Sequence, residues 1–353
     1  MQSATSGMDQ AAQAGERERF SAAELAIVLS HYGIGVIESI AKFPRGSRRA
    51  PKLLITSEQG KFLLKRRAHG KDDAQRVAFS HSLQMHLAAK QFPLPHLIGT
   101  RTDNNSMLEW QGGVYELFEY IPGQAYPHTL EATFDAGRVL ALYHKLLEDF
   151  QSEFQPAVGS YHNHPAIEQG LAAVPAALPT AGEALPPLLQ FLRDSYVEAA
   201  GIVEEAGIGG WPRQYVHGDW HPGNMLFREN HVVAVIDYDS ARVLPRIIDT
   251  ANGALQFSIT MTEEDAAKWP DYVDESRFKR FVRGYDEVVL LSDAEVRVMP
   301  HLMVEALVAE AVLPIAVCGA FGHVDGLAFL QMVQRKVRWL REKAHDLVEL
   351  VGA

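Results

Sequence analysis

The stretch that decides the fold is residues 215–240, "YVHGDWHPGNMLFRENHVVAVIDYDS". It contains two short apolar runs, "NMLF" and "VVAVI", joined by Arg228-Glu229-Asn230-His231, which predicts a β-hairpin. Asp219 and Asn224 precede this hairpin and Asp237 follows it. Because a hairpin folds its two ends together, the sequence predicts that these three oxygen-bearing side chains converge.

A metal site is one reading of this convergence. Carboxylate and amide oxygens suit a hard cation such as Mg²⁺, which binds few protein ligands and completes its octahedron with water and substrate phosphates. A zinc site made of His217, Asp219 and His221, serving a hydrolase, is the alternative. On a helix the two histidines would share a face, but Gly218 and Pro222-Gly223 disfavour a helix there. The pattern therefore favours magnesium.

The spacing of the polar residues matches a known catalytic loop. His217-Gly218-Asp219 with Asn224 fits the protein-kinase pattern H-R-D-x-x-x-x-N, and Ile236-Asp237-Tyr238 stands where D-F-G would. The fuller form, H-G-D-x-H-x-x-N followed by I-D-[FYW], resembles the aminoglycoside phosphotransferase family, which also contains choline kinases and type II homoserine kinases. The resemblance covers most of the chain. It implies an α+β, two-lobed, protein-kinase-like fold with a small antiparallel-sheet N-lobe and a larger helical C-lobe.

The resemblance also implies the chemistry: an ATP- and Mg²⁺-dependent enzyme that phosphorylates a hydroxyl group of a small molecule. Asp219 would be the catalytic residue that accepts the hydroxyl proton, and Asn224 and Asp237 would be the metal ligands. His217 and His221 would brace the loop through hydrogen bonds. The acceptor stays open among homoserine, an amino sugar, choline and other alcohols.

Three further polar residues lie outside this loop. Asp249, in "RIIDTANGA", resembles the aspartate that packs behind the catalytic loop in this family; a helix N-cap before Thr250 is the alternative. Asp239 either approaches the metal or faces water. His144 is expected to be a buried core histidine.

A lysine for the ATP phosphates is expected in the N-terminal part. Lys65, at the end of the apolar run in "GKFLLKRR", resembles the strand lysine of kinases, although Lys61, Arg66 and Arg67 compete for the role. In kinases the following helix carries an acidic partner. Here the helical stretch 72–90 reads "RVAFSHSLQMHL" in its middle, with no acid. Either its first turn supplies the partner, through Asp72 or Asp73, or the lysine is positioned differently.

The other nucleotide contacts are less distinct in sequence. No G-x-G-x-x-G or G-x-x-x-x-G-K-[ST] pattern occurs, which excludes P-loop and dinucleotide folds. Pro44-Arg45-Gly46-Ser47 either covers the phosphates or forms a plain hairpin turn. The segment "YELFEYIPG" resembles the lobe junction that binds adenine through its backbone, which places Glu119 and Ile121 at the adenine edge.

The chain divides into three parts according to the secondary structure that its sequence predicts. Residues 1–20 are predicted to be a disordered tail, 21–121 the nucleotide-binding lobe and 122–353 the catalytic and substrate-binding lobe. The first lobe begins with a capping box at Ser21 to Glu24 and continues through short β-like runs and one crossing helix. The second is predicted to be helical apart from the hairpin, with an irregular surface connection over 161–187.

Composition limits the partners. The 353 residues are 47% hydrophobic, enough for a large core, and carry a net charge of −11, which argues against nucleic acid and suits a cationic small molecule. A single cysteine and the lack of a secretory signal predict a cytoplasmic protein. The uncharged stretch 311–324 is too short for a bilayer and predicts a buried core helix, so no membrane partner is expected. The rival to an enzyme is an inactive nucleotide-binding or structural member of the same fold, and the oligomeric state stays open.

Overall fold

The structure is a computed structural model, and it describes residues 18–43, 50–260 and 265–352. Its N-terminal part is a five-stranded antiparallel sheet in the order β1-β2-β3-β5-β4. The strands are β1 (Ile37–Lys42), β2 (Lys52–Ser57), β3 (Gly60–Arg66), β4 (Leu108–Trp110) and β5 (Gly113–Glu119). The predicted small antiparallel-sheet lobe is confirmed.

The sheet has one apolar and one mixed face, because side chains alternate along each strand. Leu53, Ile55, Phe62 and Leu64 are buried on the first face, where they pack with Val28 and Leu29 of helix α1 (Ala22–Ser30). Ser21 and Glu24 form the predicted capping box. The other face lies towards helix α2 (Ala74–Ala89), whose Phe79, Leu83 and Leu87 belong to the core of the helical part. The crossing helix therefore joins the two parts.

The C-terminal part is mainly helical, as predicted. Its helices are α3 (Leu130–Leu146), α4 (Pro165–Ala177), α5 (Leu185–Glu205), α6 (Arg246–Ser258), α7 (Glu275–Asp286), α8 (Asp293–Cys318) and α9 (Gly326–Gly352). Its strands are β6 (Arg213–Val216), β7 (Met225–Arg228), β8 (His231–Val235), β9 (Arg242–Pro245), β10 (Ala320–Phe321) and β11 (Val324–Asp325). One large hydrophobic cluster runs through these helices and includes buried residues of α2.

The prediction of an irregular connection over 161–187 is wrong, because α4 lies within it. His164 caps this helix, its Nδ1 accepting from the Ala166 N–H, and Pro165 occupies the first turn, where a missing N–H costs nothing. Ile167, Leu171 and Val174 are buried at helical spacing. The alanines that suggested a loose connection are strong helix formers.

Helix α8 is the one helix among the described residues that is long and apolar enough, by length and composition, to cross a bilayer. Within the molecule 61% of its most apolar window is buried, and it packs against α4, α5, α6 and α9. The predicted core helix over 311–324 is correct only as far as Cys318. Gly319, at φ +71°, ends α8, and β10 and β11 follow as a short hairpin.

Candidate active site

The predicted hairpin is present as β7 and β8. Met225 faces Val235, and the two turn residues Glu229 and Asn230 both have positive φ, as a tight two-residue hairpin requires. The hairpin is anchored to the helical part at Val232, whose N–H donates to the Asp135 carboxylate at 2.7 Å. This bond anchors the turn end of the hairpin, and the Val235 N–H, which donates to the Pro93 carbonyl at 2.9 Å, anchors the open end.

The loop that carries Asp219 is held from behind by Asp249. The Asp249 carboxylate accepts hydrogen bonds from the backbone N–H groups of His217 (2.8 Å) and Gly218 (3.0 Å), and His144 Nε2 lies 3.2 Å from Asp249 Oδ2. Burial opposes ionisation, but His144 and these contacts hold the pKa of Asp249 below its ordinary value. The N-cap alternative for Asp249 is wrong, because the residue lies inside α6 and its side chain is used on the loop. His144 is buried, as expected.

Asp219 sits at the start of the hairpin with its carboxylate oriented by two neighbours. Asn224 Nδ2 donates to Asp219 Oδ2 at 2.9 Å, and His221 Nε2 lies 3.6 Å from the same oxygen. Burial opposes its charge, yet His221 and Asn224 lower the pKa of Asp219. Burial also opposes the charge of His221, but Asp219 raises its pKa. The carboxylate therefore stays ionised at neutral pH.

Asp237 lies beside Asn224 at the other end of the hairpin. The Ile236 N–H donates to the Asn224 carbonyl at 2.9 Å, and Asp237 has a left-handed backbone with φ 68°. Burial, followed by the charge of Asp239, raises the pKa of Asp237. Within residues 18–43, 50–260 and 265–352 no hydrogen bond or ion pair is made by the Asp237 carboxylate.

This arrangement fits a hard cation. The Asn224 amide nitrogen is used on Asp219, which leaves its oxygen for a ligand, and Asp237 adds a carboxylate without a hydrogen-bonding partner in the described chain. For the zinc alternative, no group of three His, Cys, Asp or Glu side chains among the described residues is arranged to hold a metal.

His217 does not brace the loop in the predicted way. Both of its ring nitrogens are buried and have no hydrogen-bond partner among the described residues, and burial lowers the pKa of the ring, which keeps it neutral. The ring packs instead against Tyr143, Trp220 and Tyr238, with centroids 5.2–5.8 Å away. The bracing hydrogen bond comes from the His217 backbone. His221 does make a local bond, since its Nδ1 accepts from the Gly223 N–H at 3.0 Å.

The acidic partner of Lys65 comes from a strand. Lys65 Nζ lies 3.4 Å from Glu116 Oε2 on β5, the residue directly opposite Lys65 in the sheet. At the helix, His81 of α2 reaches the other oxygen of Glu116 at 2.7 Å. Asp72 and Asp73 do not take this role: Asp72 accepts from the Gly70 N–H, and Asp73 caps α2. Neither aspartate of the first turn pairs with Lys65, whose partner is the strand residue Glu116.

Of the competing cations, Arg66 has partners of its own, whereas Arg67 shares Glu116 with Lys65. Arg66 pairs with Glu24 and Glu18, and Arg67 pairs with Glu116 and Asp239. The sequence suggested that Asp239 either approaches the metal or faces water. Its ion pair with Arg67 was not predicted. Burial opposes its charge, but Arg67 and Lys65 lower the pKa of Asp239.

Lys52 is a basic residue that sequence reasoning missed. It lies opposite Lys65 in the sheet, and Glu116 lies opposite Lys65 on the other side, so the three side chains form a row across β2, β3 and β5. Burial, followed by repulsion from Lys65, lowers the pKa of Lys52 to about 8. Strand pairing was the missing information, since Lys52 reads as the first residue of an ordinary strand.

The predicted adenine edge lies at the end of β5. The Glu119 N–H donates to the His96 carbonyl at 2.8 Å, so its carbonyl and the following residues are the groups that could meet a base. Ile121 is half-buried. The predicted phosphate cover, Pro44-Arg45-Gly46-Ser47, lies outside the described residues.

Helix α8 adds a carboxylate near the loop. Glu310 accepts a hydrogen bond from Gln256 of α6. Burial, followed by the negative charge of Asp219, raises the pKa of Glu310 to about 7. Nothing along the sequence relates Glu310 to Asp219, and only the tertiary structure brings the two carboxyl groups close enough to interact.

A sheet lobe, a helical lobe and a catalytic loop next to a hairpin define a kinase-like phosphotransferase. Residues 40–289 match the phosphotransferase enzyme family model, APH, and the chain belongs to that family. The resemblance predicted from sequence is confirmed.

The relatives named below are small-molecule kinases. A homoserine kinase of Acidiphilium cryptum (strain JF-5) is 26% identical over 281 residues, which are 79% of this chain and 81% of that protein. The microcompartment-associated aminopropanol kinase superposes with a TM-score of 0.66 at 14% identity, over 93% of this chain and 98% of that one. Amicoumacin kinase, in complex with AMP-PNP, Ca²⁺ and Ami, superposes with a TM-score of 0.63 at 11% identity, over 93% of this chain and 94% of that one. At these identities the two structures show the fold alone.

Proposed function

We propose that the protein transfers the γ-phosphoryl group of ATP, with Mg²⁺, to a hydroxyl group of a small amine-bearing molecule. The observation that carries this proposal is the joint placement of Asp219, Asn224 and Asp237 at the two ends of one hairpin. Phosphoryl transfer needs positioning and charge neutralisation more than covalent chemistry, and this set supplies both.

Each residue has a separate task in this proposal. Asp219, ionised and oriented by Asn224, binds the acceptor hydroxyl and takes its proton as the oxygen attacks phosphorus. Asn224 and Asp237 hold Mg²⁺, which neutralises phosphate charge when bound. Asp249 keeps the loop in register, and His221 keeps the Asp219 carboxylate in place.

Nucleotide binding falls to the sheet lobe. Lys65 would contact the phosphates, while the Glu119 carbonyl and the Ile121 backbone would contact adenine. The AMP-PNP and Ca²⁺ in the amicoumacin kinase structure support a nucleotide and a divalent cation in this fold. We also propose that residues 21–121 form the nucleotide-binding lobe, that residues 122–353 form the catalytic and substrate-binding lobe, and that the protein is cytoplasmic.

The acceptor is homoserine-like, an amino sugar or an amino alcohol. The chain's relatives include a homoserine kinase and, by fold, an aminopropanol kinase. A net charge of −11 and the Glu310 carboxyl close to Asp219 both favour a cationic molecule over an anionic one.

The decisive experiment is an acceptor screen followed by one substitution. Purified protein with Mg·ATP is offered amino acids, amino alcohols and amino sugars, and ADP release is measured. With the acceptor found, Asp219→Asn should lower kcat by about 10²–10⁴-fold, because the base is lost, while Mg·ATP binding survives. Asp194→Asn, on the exposed face of α5, is the matched control and should keep full activity.

The rival is an inactive nucleotide-binding member of the fold. It predicts that no acceptor in the panel raises ADP release above slow hydrolysis, and that Asp219→Asn leaves that hydrolysis unchanged. Either result with pure, folded protein would reject the proposed kinase activity.

A further inference from the structure

One buried guanidinium connects the two lobes beside the nucleotide cleft. Arg67 follows β3, and its Nη2 lies 2.7 Å from Glu116 Oε1 of β5 and 2.9 Å from Asp239 Oδ1. Its Nη1 donates to the Lys71 carbonyl at 3.2 Å. Only 5% of the Arg67 side chain and none of the Glu116 side chain is exposed. The contact with Asp239 crosses from the sheet lobe to the helical lobe.

Each carboxylate that Arg67 binds is next to a residue with a proposed role. Glu116 Oε2 faces Lys65 at 3.4 Å and makes no hydrogen bond within the part of the chain that the structure describes, whereas Arg67 and His81 hold the carboxylate by its other oxygen. Asp239 stands two residues after Asp237, in the same short turn. A continuous chain of charges therefore runs from Lys65 through Glu116, Arg67 and Asp239 to the segment of Asp237.

The charges in this chain support one another. Burial opposes ionisation of Glu116, but Arg67 and Lys65 hold its pKa well below its ordinary range. Burial opposes the charge of Arg67 as well, but Asp239 and Glu116 raise its pKa. Without Arg67, two carboxylates would remain near the cleft with Lys65 as their main counter-charge, and they would compete with phosphate for that lysine.

We propose that Arg67 is a positioning residue, which sets Lys65 through Glu116 and sets the Asp237 segment through Asp239, so that both lobes meet one Mg·ATP molecule. The proposal rests on the proposed function. It also explains how the protein works without an acid in α2: the strand residue Glu116 supplies the charge, and Arg67 fixes its direction.

A purely structural role for Arg67 makes a different prediction. If Arg67 only stabilised the lobe, its loss would weaken all nucleotides alike, because adenine contacts at Glu119 and Ile121 would suffer with the phosphate contacts. A positioning role affects the triphosphate and the metal, which are the ligands of Lys65 and Asp237. The ratio of the AMP dissociation constant to that of Mg·ATP separates the two roles.

The test is titration of Arg67→Met and Asp239→Asn with AMP and with Mg·ATP, without acceptor. Each substitution should weaken Mg·ATP by about 10-fold or more while AMP changes by less than about 2-fold. Arg67→Lys, which keeps the charge but reaches one carboxylate at a time, should recover part of the Mg·ATP affinity. Asp239→Asn leaves the Arg67–Glu116 pair intact, so it keeps the test valid if Arg67→Met fails to fold.

Arg66→Met is the matched control. Arg66 is the neighbouring residue and binds Glu24 and Glu18, away from the Arg67 cluster. The Arg66→Met substitution should lower Tm and leave the ratio of the AMP dissociation constant to that of Mg·ATP unchanged. The inference would be overturned if both Arg67→Met and Asp239→Asn kept the wild-type ratio of the AMP dissociation constant to that of Mg·ATP. It would also be overturned if they lost affinity for AMP and for Mg·ATP in parallel. Wild-type protein that binds no Mg·ATP would instead reject the proposed function.

Discussion

At the scale of single residues, two backbone conformations set the geometry of the site. Gly218 has φ +74° and Asp237 has φ 68°, both in the left-handed region that favours glycine. At Gly218 a Cβ would lie 2.4 Å from the Ser240 carbonyl oxygen, so no other residue fits without movement. The glycine lets the loop pass close to the chain that follows Asp237, and this proximity brings the two aspartates together.

Gly218→Ala should therefore destabilise the protein by more than about 1 kcal/mol and lower activity, because the clash pushes the loop away from Ser240. Chemical denaturation and the kinetic assay measure the two effects. Gly201→Ala is the control: apart from the backbone of its own helix α5, a Cβ there meets no atom of the described residues within 4 Å, and the substitution should raise stability by up to about 1 kcal/mol. Equal stabilities of the two variants would contradict this account.

At the scale of elements, the acidic partner of the lysine lies on a strand in this protein and not on a helix. The strand β5 supplies the acid that a helix supplies in kinases, and α2 presents His81 to that acid. The Lys52–Lys65–Glu116 row follows from strand register, which no single segment of sequence contains. Helix α4 was missed because its alanines and prolines resemble a linker, although its buried face matches α8.

Helix α8 offers a prediction at this scale. Val312 is fully buried, whereas Val317 is 84% exposed. If α8 is a core helix, Val312→Asp should cost several kcal/mol by burying an unpaired charge, while Val317→Asp should change stability by less than about 0.5 kcal/mol. Denaturant midpoints of the purified variants measure both. A large effect of Val317→Asp on folding, with fractionation of wild-type protein into membranes, would show that α8 faces lipid instead.

At the scale of the whole molecule, electrostatics divides the acids near the site into two groups. Glu116, Asp239, Asp249 and Asp219 are buried or half-buried with counter-charges or donors, and their pKa values are lowered. At Asp237 and Glu310, burial and neighbouring negative charge outweigh the nearby cations and donors and raise the pKa values. These two acids are the ones proposed to face a cation, metal or amine.

Glu310 makes the global stability depend on pH in a defined window. Its pKa is about 7 in the folded protein against an ordinary 4.5, so the folded state binds the extra proton between these values. Stability from this group is full below pH 4.5 and is lost as pH rises through 7. Glu310→Gln removes the titration, so the Tm of the variant minus that of wild type should increase from pH 5 to pH 8. A difference that is the same at both pH values would contradict the assignment.

The sequence by itself determined the fold class, the family and the three polar residues of the hairpin, because all of these depend on spacing along a continuous stretch. It also placed Lys65 and its strand, since the alternation of apolar residues is local. Tertiary structure alone decided that Glu116 is the partner of Lys65 and Asp239 the partner of Arg67, which of the two predicted roles Asp249 takes, and where Glu310 lies. These pairs join residues far apart in the chain, and their charges interact only because strand register and helix packing place them together away from water.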